Sequence, residues 1–111
     1  MAKLEQIQDD KLRDLVNDAR IAYRAGQSTE SVHKSVEALL AVLQKEPGFF
    51  YLQLNPDIRP QTHRIWPQLG VNVEQEEGQP PRVVYQRDQF SQAEAITFYE
   101  FALDTVVAAH M

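Results

Sequence analysis

The stretch "NPDIRPQTHRIWPQ", residues 55 to 68, gathers Arg59, His63, Arg64 and Trp66 between three prolines. Two guanidinium groups, an imidazole that titrates near neutral pH and a flat indole could hold a carboxylate or another small anion. The same set could serve as an aromatic and arginine anchor for a protein partner. A small-ligand or enzymatic site at residues 57–66 is one reading. The other is structural: Pro60 can start a short helix, "PQTHRIW", which Pro67 ends, with Ile65 and Trp66 capping a core and Arg59, His63 and Arg64 on its wet side. The sequence leaves loop and short helix both open. Fourteen residues is long for a plain connection in a compact domain, which favours either a site or a hidden element.

Chemistry elsewhere is sparse. His33 stands at the edge of a helical apolar face one turn before Glu37, and His110 stands at a helix C-terminus, where the helix dipole favours an imidazolium. Neither belongs to a spacing that converges three or four ligands, so metal binding is not expected. Without cysteine there are no disulfides, thiolate metal sites or thiol nucleophiles. The four glycines form no phosphate-cradling loop and no nucleophile elbow, and no cofactor is implied. Adjacent carboxylates, Asp9 with Asp10 and Glu76 with Glu77, read as solvated pairs rather than an acid and base facing each other across a substrate. The balance leans away from an enzyme.

A formal net charge of -5 argues against nucleic acid and against anionic membrane surfaces, because phosphate neutralisation needs clustered Lys and Arg. No apolar run approaches the ~20 residues of a membrane span. The opening "MAKLEQIQDDK" sets acids and amides where a secretory signal would be apolar, so a cytoplasmic protein is expected. Residues 91–111 carry Glu94, Glu100 and Asp104 and no Lys or Arg. Together with Glu74, Glu76 and Glu77, these suit an acidic inhibitor or immunity-type protein that blocks a basic partner.

The elements that must position these groups follow from periodicity. Across residues 9 to 25, Leu12, Leu15, Val16, Ala19, Ala22 and Tyr23 fall within about one-third of a helical wheel, with an Asp9–Arg13 pair at its start and Gly26 as left-handed cap. Leu4 and Ile7 would extend this helix backward. Ser28 or Thr29 is the expected N-cap of a second helix, "TESVHKSVEALLAVLQKE", stopped by Pro47 and Gly48. So short a link predicts an antiparallel helical hairpin. "FFYLQLN" (49–55) alternates as a strand would but also reads as irregular core filler. "LGVNVEQ" (69–75) and "RVVYQR" (82–87) read as strands of an antiparallel hairpin with a polar tip.

Ser91 and Glu94 form a capping box at the head of a final helix, with Phe90 before it as staple residue. That helix looks apolar over more than half its surface, too wide for one neighbour. The fold class expected is therefore α+β in a single domain, residues 1–111. It comprises an N-terminal antiparallel helical hairpin, a two- or three-stranded antiparallel sheet and a long apolar C-terminal helix. The aromatic run Phe98, Tyr99 and Phe101 cannot point one way; Tyr99 suits the core and Phe98 or Phe101 a partner. The function read from this is a non-enzymatic protein-interaction or scaffold module, homodimeric through the C-terminal helix.

Overall fold

A computed structural model describes residues 2–45, 71–74 and 82–109. The chain is mostly helical, with a helical hairpin at its N-terminus: α1 spans Asp10–Arg24, α2 spans Ser28–Lys45 and α3 spans Gln92–Ala108.

The chain enters through a single 3-10 turn, Leu4–Gln6, and Ile7, 1% exposed, plugs into the core behind it. The expected backward extension of α1 does not form. Asp9 has extended backbone and its carboxylate accepts from Leu12 N–H at 3.1 Å, which caps the helix there and turns the preceding residues away. The Asp9–Arg13 pair is also replaced. Arg13 pairs with Asp10 and donates to the Ile7 carbonyl at 3.1 Å, while Lys45 at the far end of α2 takes Asp9 at 2.8 Å. That last contact ties the start of α1 to the end of α2, and the hydrogen bond from Lys45 holds the Asp9 carboxyl below its ordinary range.

At the hairpin turn, Gly26 adopts φ +79° as its sequence position requires. Gln27 N–H reaches the Ala22 carbonyl at 2.8 Å and Gly26 N–H the Tyr23 carbonyl at 3.2 Å, the paired bonds of a Schellman ending. The next helix starts one residue earlier than expected. Ser31 N–H bonds to the Gln27 carbonyl at 3.0 Å, so Gln27 occupies the cap position and neither Ser28 nor Thr29 does. Their hydroxyls instead reach across to the start of α3: Ser28 donates to Gln92 Oε1 at 2.9 Å, and Thr29 accepts from Phe90 N–H at 3.1 Å.

Small residues let α1 and α2 approach closely. Ala19 and Ala22 on one side are buried, as are Ser31, Ser35 and Ala38 on the other, and Ser31 Oγ donates to the Ala19 carbonyl at 2.6 Å. Larger side chains, Leu12, Val16, Val32, Val36, Leu39 and Val42, fill the core toward α3. Each such side chain contributes about 1.5–3 kcal/mol by leaving water.

The capping box forms as expected: Ser91 Oγ accepts from Glu94 N–H at 3.2 Å, and Glu94 accepts from Ser91 N–H at 2.9 Å. The helix it starts packs chiefly on α2 and also on α1. It buries Ala95, Phe98, Ala102, Leu103, Thr105 and Val106. Ala93, Thr97, Glu100, Asp104 and Ala108, spaced three or four residues apart, face solvent. The helix thus has a solvent-facing side, and Ile96, Tyr99, Phe101 and Val107 lie half-buried along its border.

Between α2 and α3, two four-residue segments, β1 (Val71–Glu74) and β2 (Arg82–Tyr85), are in antiparallel register, with Val71 opposite Tyr85 and Glu74 opposite Arg82. Both segments lie within the stretches 69–75 and 82–87 that the sequence reads as strands. Val71 is fully buried, whereas Val83 and Tyr85 are half-buried and Val84 is 36% exposed. So short a pair presents too little surface to form a layer and leans on the helices. The possible strand at 49–55 lies outside the described residues.

Candidate functional site

Of the groups singled out in the sequence, Arg59, His63, Arg64 and Trp66 lie outside the described residues, as do His110, Glu76 and Glu77. The aromatic run of α3 is resolved into separate roles. Phe98 is 0% exposed and meets Phe90 edge-on, with ring centroids 6.3 Å apart. Its place in the chain's own core leaves it no surface for a partner. Phe101 is half-buried against that core. Tyr99 is half-buried too, and its ring lies 5.3 Å from that of Tyr23 on α1, tilted by 55°.

That tyrosine pair lines an open cleft of about 370 Å³ between α1 and α3, to which the residues around the 3-10 turn also contribute. Arg20, Tyr23 and Arg24 stand on one wall because positions i, i+3 and i+4 share a helix face. Glu100 and Asp104, also four apart, stand on the other. Lys3 and Glu5 complete the rim.

The charges of this cleft do not neutralise one another. Among the described residues, no ion pair joins Arg20 or Arg24 to Glu100 or Asp104, and Lys3 and Glu5 form none either. Arg20 donates from one terminal nitrogen to Asn17 Oδ1 at 2.9 Å, while its Nε is buried without a partner. Arg24, Glu100 and Asp104 are exposed. Burial raises the Tyr99 phenol above its ordinary value, with Tyr23 adding to the shift and Arg20 and Arg24 opposing it. The raised Tyr99 phenol is a neutral hydroxyl near pH 7, able to donate or accept.

A second aromatic file runs through β2. His33 on α2 packs against Tyr85 with centroids 4.6 Å apart, and Tyr85 meets Phe90 at 6.2 Å. Burial, reinforced by Glu37, pushes the Tyr85 phenol up to about 12. His33 thus has a packing role against Tyr85, beyond the boundary position its spacing implied. Among the described residues, no group of three His, Cys, Asp or Glu could hold a metal ion, and no helix is long and apolar enough to cross a membrane.

Sequence reasoning overlooked the cleft. Tyr23 was legible as part of the inner face of α1, and the i, i+4 spacing of Arg20 with Arg24 and of Glu100 with Asp104 was visible. Nothing local said that the two helices would be neighbours. Comparison of the chain with protein-family models, with curated proteins and with solved structures finds no match.

Proposed function

We propose that this chain is a non-enzymatic protein-interaction module that docks another protein at the cleft between α1 and α3. One observation carries the reading: two tyrosines in ring contact line an open cleft whose flanking Arg24, Glu100 and Asp104 have no ion pair among the described residues. Tyrosine and arginine recur as the anchors of protein interfaces, since each combines a broad apolar surface with directional hydrogen bonds. A cleft this open shields a small molecule poorly but suits a partner's protruding side chains.

Tagged chain purified from its native cell should carry a bound protein. Tyr99→Ala and Arg24→Glu should each release it, while Val84→Thr on β2 should not. The same proteins held by wild type and by both cleft variants would defeat the reading. An acidic-inhibitor role draws on Glu74, Glu76 and Glu77 together with Glu94, Glu100 and Asp104 of α3; Glu76 and Glu77 lie outside the described residues, as does a ligand site at 57–66. No observation favours either over the cleft.

A further inference from the structure

We infer that the occupant of the cleft is a second copy of this chain, docked about a two-fold axis that runs along the groove. This rests on the interaction reading above and names its partner. The argument is one of charge and symmetry. In a two-fold interface the same patch meets itself, so residue i of one copy contacts residue j of the other and the reverse. Most charged patches fail that condition because like meets like. This one satisfies it, since cations stand on one wall, Arg20 and Arg24 on α1, and carboxylates stand on the other, Glu100 and Asp104 on α3.

The direction of the axis follows. If it lay across the groove, α1 would face α1 and the guanidinium groups would oppose each other. Lying along the groove, it brings α1 of one copy over α3 of its partner, so each Arg24 faces a carboxylate row and each carboxylate row an Arg24. The half-buried Tyr23 and Tyr99 rings then line the enclosed groove on each side of the axis. Within one chain these charges stay apart; across the axis each finds its opposite.

Sedimentation of the full chain over a range of concentrations tests this. Wild type should show a monomer–dimer equilibrium that weakens with added salt, because rim charges are screened. Arg24→Glu and Asp104→Lys should each raise the dimer Kd by about tenfold or more, since each sets like charges face to face. The double variant Arg24→Glu with Asp104→Lys should recover to within about threefold of wild type, because both pairs reverse together. Far-UV circular dichroism should be unchanged throughout, as both residues are exposed.

A wild-type chain that sediments as monomer at every concentration overturns the proposal. So does a dimer indifferent to both single variants, which would use another face, and so does a double variant no better than either single one. If the chain is monomeric yet Tyr99→Ala still releases a bound foreign protein, the second-copy proposal falls and the interaction reading stands. If it is monomeric and the cleft variants hold the same proteins as wild type, both fall.

Discussion

The two ends of α3 carry similar polar groups and use them in opposite ways. At its amino end Glu94 pairs with Arg87 and closes the capping box with Ser91, while Gln92 donates to the Tyr23 carbonyl at 2.7 Å and accepts from Ser28. Arg87 also lies over the Phe90 ring, 4.9 Å from its centroid. Every one of these contacts is internal to the chain. Two turns further on, Glu100 and Asp104 face Arg20 and Arg24 across a cleft and form no ion pair with them. Carboxylate and guanidinium are present in both places. At one end they hold helices together, and at the other they remain on offer, because the groove keeps the walls apart.

Phe98 lies beneath both ends, so Phe98→Ala should have the largest effect. Truncating a fully buried phenylalanine costs about 3–5 kcal/mol, which urea unfolding would register as a large drop in midpoint and which would disturb internal contacts and cleft alike. A loss under about 1 kcal/mol would mean that Phe98 is not a core residue. Ser91→Ala strikes the amino end alone. Loss of a helix cap of this kind costs about 1 kcal/mol, visible as a lower Tm, and should leave the cleft's binding intact.

The aromatic file beside that end has its own signature. Because the folded Tyr85 phenol titrates at about 12, above its ordinary 10.0, the folded state retains a proton that the unfolded state gives up. The stability from this group is complete below about pH 10 and fades as pH rises toward about 12, an effect of about 1 kcal/mol once partial exposure is discounted. Absorbance titration should show a tyrosine that titrates at about 12 and vanishes in Tyr85→Phe.

The acid limb runs the other way. Arg87 holds Glu94, and Lys45 holds Asp9, below their ordinary values of 4.5 and 3.8, so their stabilisation is present at neutral pH and lost as pH falls below about 4. Arg87→Gln should make stability less sensitive to acid than in wild type; an unchanged acid profile would show that the pair does nothing. The smallest effect belongs to the cleft. Glu100→Gln should shift the unfolding free energy by less than about 0.5 kcal/mol, because an exposed carboxylate with no ion pair among the described residues has little to lose. A larger loss would erase the contrast between the two ends.

Local signals were legible where a residue's partner sits within one turn. Ser91 with Glu94, Gly26 at the end of α1 and the inner face from Leu12 to Ala22 all formed where spacing placed them. Ser28 and Thr29 misled because a hydroxyl beside a helix start looks like a cap, and their true partners lie more than sixty positions away in sequence. The C-terminal helix misled for a related reason. Counting apolar residues around its wheel suggested an excess, whereas Tyr99, Phe101 and Val107 pack half-buried against the core and take up part of that surface.

The candidate cleft was illegible because its walls come from α1 and α3, some eighty residues apart in the chain. Sequence alone determined the inner face of α1, the glycine turn that ends it and the capping box that starts α3, since periodicity and these caps depend on residues a few positions apart. It also determined the chain's acidic balance and its lack of thiol chemistry. Tertiary structure decided which charges would be spent inside and which left facing out, because an ion pair needs its two groups within a few ångströms, and only the packing of α3 against α1 and α2 sets those separations.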